Sequence, residues 1–254
     1  MNGLELQQVC KSYPLQSGWV RALQGVDLAV EKGEFISIVG YSGCGKTTLL
    51  HMILGLQPAD SGRVLFKGMP GRTAIVFQEP RLIAALSVEK NMALALKHEP
   101  DRLRKQVKLD ETLEMLGLTA YRKARPGQLS GGMAQRVALG RALCRDPELL
   151  LMDEPFGSLD AFNRRRLQSE LIDIYLRRKL TILFVTHDVS EAVLLGNRVL
   201  VMDTGRIHTA MPIPLEYPRN PSSPEFISRR DALLESLLNP SFSSPALYSQ
   251  GVTI

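Results

Sequence analysis

The 254 residues carry 31 Lys and Arg against 26 Asp and Glu, a net charge of +5, with 44% hydrophobic side chains, enough for a substantial core and too many for a disordered chain. No stretch of about 18 apolar residues occurs, and Met1-Asn2-Gly3 opens no signal peptide, so neither a membrane span nor export by that route is expected. Cys10, Cys44 and Cys144 show no Cys-x-x-Cys spacing, which fits free thiols in a reducing compartment.

Residues 5–9 alternate as a strand, which Lys11-Ser12-Tyr13-Pro14 is expected to end in a turn. Residues 20–30 read as a second strand and Lys32-Gly33-Glu34 as a turn. Phe35-Ile36-Ser37-Ile38-Val39 is then a β-branched run of the kind buried on both faces of a parallel sheet. It delivers the chain into Gly40-Tyr41-Ser42-Gly43-Cys44-Gly45-Lys46-Thr47, which matches G-x-x-x-x-G-K-[ST] between a strand and a helix expected over residues 48–56. Glycines at these positions let backbone N–H groups turn inward around an anion, and the helix N-terminus adds about half a positive charge. Lys46 is placed to reach β- and γ-phosphates and the Thr47 hydroxyl to ligate Mg2+.

Residues 64–67 and 73–77 look like further strands, the second ending at Gln78. From residue 86 to 118 the apolar spacing becomes helical, with a break at His98-Glu99-Pro100, and Arg125-Pro126-Gly127 forms a loop. This predicts a helical subdomain over about residues 86–147 inserted in an α/β core. Leu129-Ser130-Gly131-Gly132 opens a helix running to about Cys144, with Ser130 as N-cap and the two glycines leaving bare N–H groups for an approaching anion.

Residues 148–154 read as a buried strand ending in Asp153 and Glu154, where ligands bind in open parallel sheets. Asp153 suits Mg2+ held through water, and Glu154 suits the general base that polarises an attacking water. Arg164-Arg165-Arg166 and Arg177-Arg178-Lys179 are expected to flank a helix. Neither run is interleaved with aromatics, which argues against a single-strand nucleic-acid groove. Residues 181–186 form another buried strand that ends at His187-Asp188. His51, His98 and His208 are weaker candidates, and no pair has metal-ligand spacing.

The ordered set resembles the ATP-binding subunit of an ABC transporter over residues 4–210. Tyr13 matches the aromatic that stacks on adenine, residues 40–48 through Thr48 the Walker A loop, and Gln78 the Q-loop. Ser130, Gly131 and Gly132 match the signature, Met152-Asp153-Glu154-Pro155 Walker B, Ser158-Leu159-Asp160 the D-loop, and His187 the switch histidine. The resemblance implies an α/β fold: a P-loop NTPase core with a parallel sheet, an N-terminal antiparallel β portion and the inserted helical subdomain. It places the cassette at residues 1–220 and a C-terminal helix and loose tail at 221–254.

It further implies a head-to-tail homodimer in which ATP on one Walker A loop is covered in trans by the other copy's Ser130, Gly131 and Gly132. Glu154 and His187 act in hydrolysis, and Gln78 senses the γ-phosphate and Mg2+. Membrane permease subunits hold the pair at the cytoplasmic face of the membrane, with a solute-binding protein as indirect partner. The Pro214-to-Pro221 segment and the Pro224-Glu225-Phe226 helix start resemble importers of nitrate, taurine and aliphatic sulfonates. The short remainder leaves no space for an appended regulatory domain. Two departures stand out: Met133 replaces the usual Gln of the signature, and Leu82-Ile83-Ala84-Ala85 replaces Leu-Leu-Pro-Trp. A soluble ABC-type ATPase acting on nucleic acid or translation, and an exporter cassette, remain the alternatives. The chain lacks the sustained heptads or doubled cassette of the former.

Overall fold

A computed structural model describes residues 3–15, 18–68 and 72–238. In chain order they form β1 (Gly3–Leu15), β2 (Gly18–Glu31), β3 (Phe35–Val39), α1 (Lys46–Ile53), β4 (Ser61–Lys67), β5 (Thr73–Val76), α2 (Val88–Ala93), α3 (Arg102–Met115), α4 (Gly131–Leu143), β6 (Leu149–Asp153), α5 (Ala161–Arg178), β7 (Thr181–Val185), α6 (Val189–Leu195), β8 (Arg198–Asp203), β9 (Arg206–Pro212) and α7 (Pro224–Leu238). The tail expected from Ser241 to Ile254 lies outside the described residues. Among the described residues no helix is long and apolar enough to cross a membrane.

The chain divides into two compact units, one built chiefly from Leu4–Val30, Ile36–Leu65 and the chain from Val185 on, the other from Glu31–Phe35 and Phe66–Phe184. In the first, the P-loop unit, a three-stranded sheet has the order β2-β1-β4. Only two residues join β1 to β2, which makes that pair antiparallel. Leu4, Leu6, Val9, Leu23, Val26 and Leu28 are its buried side. The turn expected at Lys11-Ser12-Tyr13-Pro14 is not formed, and β1 continues to Leu15. Its backbone is held from a distance instead: Asp60 accepts the Ser12 N–H (2.6 Å) and donates its own N–H to the Cys10 carbonyl (3.0 Å).

β3 pairs parallel with β8, Val39 opposite Val201, and β8 turns back into β9 through Thr204 and Gly205, both at positive φ. The Thr186 N–H donates to the Ile38 carbonyl (3.1 Å) beside them. Val39, Val193, Val199, Val201, Phe226 and Leu233 close one core, so α7 seals the face on which the P-loop strand ends. α1 spans Lys46–Ile53, starting and stopping earlier than residues 48–56. The Leu56 N–H reaches the His51 carbonyl (2.9 Å) and the Gly55 N–H that of Met52 (3.0 Å), with Gly55 at φ 74°, a C-terminal motif that needs glycine.

In the second, the signature unit, β5 and β6 pair parallel, Val76 opposite Met152. The helical break expected at His98-Glu99-Pro100 separates α2 and a short 3-10 turn from α3, whose first N–H groups are taken by Asp101. α4 packs closely on its neighbours because Gly140 has no side chain: a Cβ there would lie 2.7 Å from Met92 Cε and 2.9 Å from Leu116 Cδ1. The two basic runs do not flank a helix. α5 contains Arg164-Arg165-Arg166 and Arg177-Arg178, because Asp160 caps it earlier by accepting the Phe162 and Asn163 N–H groups (3.1 and 3.0 Å), and Lys179 ends it at φ 49°.

Candidate nucleotide-binding site

In the P-loop unit, β3 runs into a loop in which Gly40 and Gly45 are sterically required. A Cβ on Gly40 would stand 2.1 Å from the Met202 carbonyl oxygen, and one on Gly45, at φ 105°, would stand 2.2 Å from that of Ala22. Lys46 is only 5% exposed, and its Nζ donates to the carbonyls of Gly40 (2.8 Å) and Tyr41 (2.9 Å), with Cys44 Sγ at 3.7 Å. No carboxylate is among these partners, so the buried ammonium sits on neutral acceptors, which fits a polyanionic ligand. Burial pushes the Cys44 thiol up, so it stays neutral beside that ammonium. Tyr41, Ser42, Gly43 and Thr47 face solvent, and Thr48 is half-buried.

The same unit carries Tyr13, half-buried on β1 with its hydroxyl donating to Gln57 Oε1, and His187, exposed at the end of β7. Both neighbours of His187 are anchored. Thr186 Oγ1 donates to Glu191 Oε2 (2.5 Å) and accepts the Asp188 N–H (3.1 Å), while Asp188 caps α6 through Ser190 and Glu191. The imidazole is therefore presented from a fixed backbone.

In the signature unit, β6 ends at Asp153, and Glu154 follows at φ 44°, a left-handed conformation that costs a non-glycine residue about 1–3 kcal/mol. The Gly157 N–H closes the turn onto the Glu154 carbonyl (3.1 Å). Gln78 lies over this turn, since a Cβ on Gly157 would be 3.1 Å from its Nε2. The unit thus sets the Gln78 amide against the backbone turn that follows Glu154. Ser130 caps α4 by accepting the Met133 N–H (3.3 Å), and Ser130 and Gly131 are exposed. Gly132 is buried: a Cβ there would meet Asn163 at 3.4 Å, so of the two glycines only Gly131 keeps an open face.

Three residues absent from the sequence reading hold these segments. On α4, Gln135 Nε2 donates to the Phe77 carbonyl (3.0 Å), and Arg141 donates to those of Pro80 and Arg81 (both 2.9 Å), so the signature helix grips the chain on both sides of Gln78. Burial lowers the Arg141 pKa from its ordinary value. Asn91, fully buried, binds Ile83 through both its N–H and carbonyl and also the Leu86 and Ser87 carbonyls, fixing the segment where Ile83, Ala84 and Ala85 are exposed. The signal for Gln135 and Asn91 was a polar side chain on the buried side of a helix.

A strand–loop–helix with a buried Lys on carbonyls, and a second strand ending in Asp-Glu beside a glutamine, define a P-loop ATPase. The family model described as ABC transporter matches residues 23–157. The chain is 45% identical over 219 residues to the aliphatic sulfonates import ATP-binding protein SsuB of Bacillus subtilis (strain 168), covering 84% of this chain and 85% of that protein. It is 46% identical over 217 residues to SsuB 2 of Paracoccus denitrificans (strain Pd 1222), covering 85% and 86%. Among solved structures it resembles the dimeric bacterial ABC transporter cassette MJ0796 (TM-score 0.75, 29% identity, 84% of this chain and 100% of that one). It also resembles that cassette in a post-hydrolysis state bound to ADP and Pi (TM-score 0.74, 28% identity, the same coverage). The chain belongs to the ABC transporter family and is an ATP-binding, ATP-hydrolysing cassette.

Proposed function

We propose that this chain is the ATPase subunit of an importer of aliphatic sulfonates, acting as a pair of copies held by permease subunits at the cytoplasmic face of the membrane. The substrate class rests on relatives at 40–46% identity that carry that name. The site reading rests on one observation above the others, the Lys46 ammonium buried on carbonyls at the head of α1.

In this reading residues 40–48 cradle the phosphates and Tyr13 stacks on the adenine. Lys46 meets the β- and γ-phosphates. Thr47, Gln78 and Asp153 offer hard oxygens suited to Mg2+, which when bound neutralises charge on the phosphates. Glu154, held by its left-handed backbone, takes a proton from the attacking water. His187 and Lys46 stabilise charge on the transferred phosphoryl group. Ser130 and Gly131, open at the start of α4, contact the nucleotide bound by the second copy, with Gly132 supporting them from within the helix.

Transport is tested by expressing the chain in a strain lacking its own sulfonate-import ATPase subunit and following uptake of labelled sulfonate. Restored uptake that is lost with Glu154→Gln supports the assignment. Expression without uptake contradicts the substrate class.

A further inference from the structure

The strand that carries Tyr13 is fastened to the segment leaving α1. Asp60 is the centre of the tie: its Oδ1 accepts from Lys11 Nζ (2.8 Å), its Oδ2 accepts the Ser12 N–H (2.6 Å), and its own N–H donates to the Cys10 carbonyl (3.0 Å). Three residues earlier, Gln57 takes the Tyr13 hydroxyl, and Lys11 Nζ stands 5.8 Å from the centre of the Tyr13 ring. The chain then enters β4 against β1 so closely that a Cβ on Gly62 would be 2.3 Å from the Gln8 carbonyl oxygen. Residues 10–13 of β1 are thus held backbone and side chain by residues 57 and 60. α1, whose first turn carries Lys46 and Thr47, is about 12 Å long and ends in a glycine-closed turn immediately before them.

We propose that Asp60 and Gln57 are positioning residues for base recognition, fixing the plane of the Tyr13 ring relative to the helix that carries the phosphate-binding residues. The proposal rests on Tyr13 being the adenine platform. Asp60 is exposed, and an exposed ion pair adds little to stability. Its contribution is orientation: charge-assisted bonds to adjacent residues define the backbone from which the ring projects. Because Asp60 and Gln57 act through the ring, their loss should weaken only ligands that have a base.

The experiment measures binding of ATP and of inorganic tripolyphosphate to the full chain. Asp60→Ala and Gln57→Leu should each weaken ATP by about threefold to tenfold and tripolyphosphate by less than about twofold. Asp60→Asn keeps an acceptor for Ser12 without the charge facing Lys11, so it should fall between the parent and Asp60→Ala. Combined with Tyr13→Ala, Asp60→Ala should add no further loss. Equal weakening of both ligands, or of neither, with Tyr13→Ala still selective for ATP, overturns the positioning role alone. If Tyr13→Ala itself leaves the ratio of the two affinities unchanged, the platform reading falls and takes the proposal with it.

Discussion

Residues 40–47 and 129–132 are both glycine-bearing segments at the head of a helix, yet Gly40 and Gly45 of the first are closed in by their own unit and Gly131 of the second is open. Gly40 and Gly45 stand where a methyl group would overlap carbonyl oxygens of Met202 and Ala22, and Lys46 is buried on the loop's own carbonyls. Around Gly131 the nearest atom to an added Cβ is Leu159 Cδ2 at 3.7 Å, and Ser130 bonds the start of its own helix. The difference separates two kinds of site. The loop's geometry demands Gly40 and Gly45 whether or not a ligand is present, whereas at the second segment the fold asks Ser130 only to cap its own helix and leaves Gly131 room for a side chain.

Substitutions separate the two segments. The largest effect is expected from Glu154→Gln, which should lower ATP hydrolysis by about a hundredfold or more while leaving ATP binding intact, read by steady-state phosphate release. Near-normal turnover would remove Glu154 as the base. Lys46→Ala should abolish the rise in melting temperature given by MgATP. In the parent that rise reflects mass action worth about 2.7 kcal/mol at a hundredfold excess over Kd.

Gly40→Ala should weaken ATP binding about tenfold or more, because the clash at 2.1 Å is with backbone and forces the loop to move. Gly131→Ala should leave binding by the single chain within about twofold and reduce turnover. Equal loss of binding in these two variants would erase the distinction between the segments. Met133→Gln should be the smallest change, within about twofold in turnover, since what this position contributes to the helix start is its backbone N–H to Ser130.

Much of the phosphate-binding half was legible because its signals are local. Five residues of strand, a glycine pattern and a Lys-Thr pair fix the geometry within a dozen positions, and the break at His98-Glu99-Pro100 is likewise written in adjacent residues. What was missed is decided by distant partners. β1 runs through Tyr13 because Asp60, far along the chain, satisfies Ser12, and the backbone on either side of Gln78, at Phe77, Pro80 and Arg81, is held by Gln135 and Arg141 from a helix more than fifty residues later. α5 swallows both arginine runs because Asp160, read as part of a motif, is also the N-cap. The left-handed backbone of Glu154 has no signature in the residue type at all.

In the proposed function, residues 130 and 131 complete the nucleotide site of another copy. It is tested most directly by light scattering on the Glu154→Gln chain, with and without MgATP. The Glu154→Gln chain should be a monomer alone and have twice that mass with MgATP, reverting to a monomer when Gly131→Glu is added although ATP still binds. A Glu154→Gln chain that binds MgATP and keeps the monomer mass would contradict it.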